Sequence, residues 1–88
     1  MNIDVYDSYA TTSKGLMHFD VFVESGTAED VAFGYGQAWL KSIGENESGL
    51  EQSRCNFCHT EIANPNVKQH IEENGHFILK MEGCPVNS

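Results

Sequence analysis

The chain is poor in positive charge. Five lysines and arginines stand against thirteen aspartates and glutamates in 88 residues, a formal charge of -8. Such a surface repels phosphate backbones and anionic lipid, which excludes nucleic-acid binding by any general electrostatic route and argues against a membrane surface. No apolar run approaches the roughly 20 residues of a bilayer span. Three cysteines cannot all pair within one chain, so a disulfide scaffold is not expected. A nucleotide-cradling glycine loop, a nucleophile elbow and a metalloprotease helix are all missing, so the expectation leans away from an enzyme. Met1 to Tyr9 is acidic and alternating, without the basic start and apolar stretch of a signal peptide. A cytoplasmic protein is expected.

What is present reads as globular: 40% hydrophobic, 10% aromatic and 20% charged residues. The length suits a single domain spanning 1–88. At 0.05–0.15 kcal/mol per residue its net stability is about 4–13 kcal/mol, so one large term would weigh heavily.

Ile3, Val5, Asp7 and Tyr9 alternate with Asp4, Tyr6 and Ser8, the period of a strand. After the turn-rich stretch Thr11–Gly15, Met17, Phe19, Val21 and Val23 alternate with His18, Asp20, Phe22 and Glu24. A hairpin pairing Tyr9 with Met17, Asp7 with Phe19, Val5 with Val21 and Ile3 with Val23 gathers the apolar residues on one face. Asp7 is the one charge this register places there, and it is expected near the sheet edge or hydrogen-bonded. Thr27 is the expected N-cap of a helix running to Gly44, with Ala28, Val31, Ala32, Tyr35, Trp39 and Ile43 as its apolar stripe. Gly34 and Gly36 each cost that helix roughly 1 kcal/mol relative to alanine. Leu50–Cys55 gives a blurred strand, Asn64-Pro65 opens a second helix that Gly75 ends, and Phe77–Met81 gives a last strand. The expected fold is α+β in the order β-β-α-β-α-β: two layers, a mainly antiparallel four-stranded sheet with both helices on one face.

Cys55-Asn56-Phe57-Cys58-His59 is the strongest local motif. A tight turn between the cysteines would aim both sulfurs at one point, and four readings follow. In the first, Cys55, Cys58 and Cys84 with His59, His70 or His76 hold a structural zinc ion. In the second, Cys55 and Cys58 form a thiol redox pair, although Arg54 is the only nearby cation to lower a thiol pKa. In the third, Cys-x-x-Cys-His attaches haem, which requires export. In the fourth, the cysteines are small core residues and nothing more. A separate candidate is the bare face of the hairpin. There the register collects Asp4, Tyr6, His18, Asp20 and Phe22: a histidine among carboxylates poised for proton transfer, or an apolar patch for a partner protein or a second copy.

Ile3-Asp4-Val5-Tyr6-Asp7, Met17-His18-Phe19-Asp20-Val21, Ser42-Ile43-Gly44, the cysteine motif and Met81-Glu82-Gly83-Cys84-Pro85 together resemble the landmarks of DUF2024, a group of small bacterial proteins of unassigned function. The resemblance implies one small α+β domain and no particular activity. The expected function is thus a binding or interaction module, the alternatives being a zinc protein built on Cys55, Cys58 and Cys84, or a thiol redox protein.

Overall fold

The computed structural model describes residues 1–84, so Pro85 of the last landmark lies outside the described residues. The elements are β1 (Asn2–Thr12), β2 (Gly15–Glu24), α1 (Glu29–Ser42), a 3-10 turn (Glu47–Gly49), β3 (Leu50–Ile62), α2 (Pro65–Asn74) and β4 (His76–Lys80). The strands form one sheet in the order β3-β1-β2-β4, with every neighbouring pair antiparallel. The α+β class, the element order and the four-stranded antiparallel sheet are therefore as expected.

The hairpin register differs from the expected one by one residue. Ala10 lies opposite Met17, Ser8 opposite Phe19, Tyr6 opposite Val21, and Asp7 opposite Asp20. The reason lies in the layers. Tyr6, Ala10, Met17, Phe19, Val21 and Val23 pack with Ala32 and Leu40 of α1, whereas Ile3, Val5 and Phe22 pack with Val67 and Ile71 of α2. The helices thus sit on opposite faces of the sheet, making three layers where two were expected. β1 and β2 are its central strands, and a strand covered on both sides needs apolar residues on both sides. Gathering all of them on one face satisfies only a sheet covered once. Ser13 and Lys14 form the connecting turn, closed by the Thr12 hydroxyl donating to Gly15 O (2.7 Å).

α1 begins one residue later than expected. Ala28 is its N-cap and offers no side-chain cap, while the Thr27 hydroxyl turns back to Glu24 O (2.7 Å). Its buried stripe is Ala32, Gly36 and Leu40, so the helix presses its backbone on the sheet at a glycine. A Cβ on Gly36 would meet Leu50 Cδ2 at 2.7 Å and Phe19 and Val21 at 3.5 Å, whereas one on Gly34 would meet nothing within 4 Å. The two glycines therefore respond oppositely to substitution. Gly34→Ala is expected to raise stability by about 0.5–1 kcal/mol through helix propensity, and Gly36→Val to lower it by about 1–3 kcal/mol through overpacking. Urea unfolding of both variants checks this.

α2 starts and stops as its sequence says. The Asn64 side chain accepts the Val67 N–H (2.9 Å), Pro65 fills the first turn, and Gly75 ends the helix in the left-handed region (φ 84). α2 covers only the Ile3, Val5, Phe22 and Phe77 part of its face. Among the described residues, no helix covers the remainder of that face, from Asp7 to Tyr9 and from Leu16 to Asp20.

Candidate functional site

On that open half three side chains converge. His18 and Asp20 are two residues apart on β2 and so project from the same face, and Asp7 of β1 is directly opposite Asp20. The Nε2 of His18 lies 2.5 Å from Asp7 Oδ1 and 3.9 Å from Asp20 Oδ1. The first contact is a charge-assisted hydrogen bond. Tyr9, opposite His18 in the ladder, stacks on its imidazole with centroids 4.2 Å apart and planes 11° from parallel, which fixes the ring's tilt. Asp20 is only 9% exposed, and its Oδ1 is buried with no hydrogen-bond partner.

The electrostatics of Asp20 follow from that placement. Burial pushes its carboxyl up from the usual 3.8 to about 6; the neighbouring Asp7 carboxylate, which repels the ionised form and can accept only from the protonated one, pushes the same way, opposed by His18 and His59. No lysine or arginine offsets the carboxylates: the ion pairs among the described residues are all between histidine and a carboxylate. A buried acceptor left without a partner costs about 1–3 kcal/mol, a large fraction of the stability of so small a domain. The arrangement is therefore suited to receive a proton or a cation.

The residues singled out from the sequence divide between this site and the scaffold. His18 and Asp20 belong to the site. Asp4, Tyr6 and Phe22 do not, because the one-residue change of register moves Asp4 and Tyr6 to the α1 face and α2 covers Phe22. Tyr6 and Phe22 are core residues, 5% and 6% exposed. Asp4 is a structural tie: Ser25 Oγ (2.8 Å), Gly26 N–H (3.1 Å) and Thr60 Oγ1 (2.8 Å) all donate to its carboxylate. Desolvation alone would raise that carboxyl, but the three donors outweigh it and hold it below the usual 3.8. Asp7 completes the cluster in place of Asp4, and its signal was present as the lone charge in an apolar alternation.

The cysteine motif is not a knuckle. β3 runs on to Ile62, so Cys55 and Cys58 lie within a strand instead of flanking a turn. Cys55 is fully buried on the α1 face, where it accepts the Ser8 hydroxyl (3.4 Å). Cys58 is the extra residue of a bulge between the pairs Val5–His59 and Tyr6–Phe57, and it is exposed. His59 pairs instead with Glu61 (2.9 Å). Cys84 packs beyond β4, its thiol donating to His18 O (3.3 Å). Among the described residues, the group of three metal-ligand side chains whose atoms lie within 4.8 Å of one another is Asp7, His18 and Asp20. Cys55, Cys58, His59 and Cys84 are not brought together as a ligand set. Burial pushes the Cys55 thiol up, only partly offset by the Ser8 hydroxyl, which disfavours a reactive thiolate there. A cavity of about 220 Å3 opens beside α1, lined by Met17, Ile43, Glu45 and Cys84 among others. It is separate from the acid–imidazole cluster.

Among the described residues, no helix is long and apolar enough to cross a membrane. No curated protein matches the chain at a significant level. The NMR structure of protein NE1680 from Nitrosomonas europaea is similar at a TM-score of 0.83 and 41% identity, covering 97% of this chain and 100% of that one. The family described as "Domain of unknown function (DUF2024)" matches residues 1–81, and with these landmarks and this fold the chain belongs to that family.

Proposed function

We propose that the chain is a small cytoplasmic binding module, not an enzyme, that receives a positively charged ligand at Asp7, His18 and Asp20. The observation that carries the reading is the buried, unpartnered Oδ1 of Asp20 beside a second carboxylate. Folding gains nothing from that pair, and a cation would relieve both its repulsion and its lost hydration. Tyr9 and Leu79 border the cluster, 37% and 39% exposed, so the ligand meets an apolar rim as well as charge. The cluster lies at a sheet surface instead of in the deep cleft that most catalysis uses, which supports binding over turnover. The strong negative charge supports the absence of nucleic-acid and anionic-membrane partners. The three free cysteines suit a reducing compartment.

Two-dimensional NMR with methylammonium, arginine amide and divalent cations as separate probes tests the reading. At least one probe is expected to shift Asp7, His18, Asp20 and Leu79 saturably, with the response lost in Asp7→Asn. Shifts at the cluster no larger than those at the exposed pair Glu72 and Glu73, for every probe, would overturn it.

A further inference from the structure

We propose that the cation is a first-row divalent transition metal, ligated by Asp7 Oδ1, His18 Nε2 and Asp20 Oδ1 on the open half of the sheet. The inference rests on the cation-binding reading above and names the ligand class.

The donor set selects the class. Two carboxylate oxygens with one imidazole nitrogen suit manganese, iron, cobalt, nickel or zinc, whereas magnesium and calcium prefer oxygen alone and soft ions prefer thiolate. Sheet geometry supplies convergence. Positions i and i+2 of β2 and the residue opposite on β1 all project from one face of a rigid, doubly paired region. The distances are close to those required. Ligand bonds of about 2.0–2.2 Å place neighbouring donors about 2.9–3.5 Å apart, and the observed separations from His18 Nε2 are 2.5 and 3.9 Å. All three donor atoms lie within 4.8 Å of one another, so side-chain adjustment on a fixed backbone can bring them to one ion. The independent pointer is Asp20: it is nine-tenths buried, and its Oδ1 faces His18 without any hydrogen-bond donor from the fold. The stacked Tyr9 ring already holds the imidazole in one orientation, lowering the entropy lost on ligation. Three protein donors leave further coordination positions to water.

Isothermal titration with Zn2+ alone, Co2+ absorption spectra and the 15N shift of His18 Nε2 test the proposal on the full chain. One ion per chain is expected, with direct ligation seen at Nε2. His18→Gln and Asp7→Asn should each weaken binding by more than about tenfold, the least that loss of a direct ligand should cost when loss of an outer partner already costs that much. Cys58→Ser should bind as the wild type does. Each variant's amide spectrum confirms its fold, and the two ligand variants check one another. Saturable binding of methylammonium or arginine amide without metal binding would overturn the metal proposal and leave the cation reading standing. Failure of every cationic probe would overturn both. Metal binding that survives His18→Gln but is lost in Cys58→Ser would also overturn the proposal, placing the ion at the cysteine strand.

Discussion

Phe19→Ala is expected to lower the unfolding free energy by about 3–5 kcal/mol, a large share of the ~4–13 kcal/mol available to a chain of this length. Phe19 is fully buried, packs its ring on Trp39 with centroids 4.7 Å apart, and lies under the Gly36 contact where α1 approaches the sheet. Close packing lets the surroundings collapse only partly into the space of a lost ring, so a cavity term adds to the transfer term. Phe57 is the contrasting case. It is 55% exposed and touches Tyr6 edge-on at 6.0 Å, so Phe57→Ala is expected to cost less than about 1 kcal/mol. Urea melts of both variants decide. Equal costs would contradict the assignment of the main core to the α1 face.

Asp20→Asn is expected to stabilise the metal-free protein, and only at higher pH. A carboxyl raised from 3.8 to about 6 by folding binds its proton more tightly in the folded state. The stabilisation that proton provides is fully present below about pH 4, fades as pH rises to about 6, and is gone above it. Protonated Asp20 and asparagine have nearly the same shape and hydrogen-bonding ability, so wild type and variant should be close in stability near pH 4. At pH 8 the variant should be more stable by about 1–3 kcal/mol, or roughly 4–8 °C of melting temperature for each kcal/mol. The gain arises because an amide can donate to Asp7, whereas a second carboxylate repels it. A variant less stable than wild type at pH 8 would mean that the ionised carboxylate has a partner in the fold.

The elements were legible in the sequence where local chemistry fixes them. Asn64-Pro65 and Gly75 bound α2 because a side-chain cap, a fixed φ and a left-handed glycine are local devices. β1 and β2 were legible by alternation, but their register was not. Alternation gives the two faces of each strand without saying whether one or both are covered, and here Val5 and Phe22 serve one helix while Tyr6 and Phe19 serve the other. The same ambiguity grouped Asp4, Tyr6 and Phe22 with His18 and Asp20. β3 was blurred because it is an edge strand, mostly exposed and twice irregular against β1, so its sequence carries little pattern and its cysteines give the spacing of a knuckle without the turn. Two of the site's three residues were legible, as a histidine near a carboxylate. Its missing member, Asp7, showed itself as the one residue that did not suit the face assigned to it.

The central claim is that folding presses the Asp20 carboxyl against a second carboxylate without a compensating donor. A pH titration of the side-chain carboxyl carbons by 13C NMR, on chelator-treated protein, measures this directly. The account predicts an Asp20 midpoint near 6, and a midpoint near the ordinary 3.8 would contradict it.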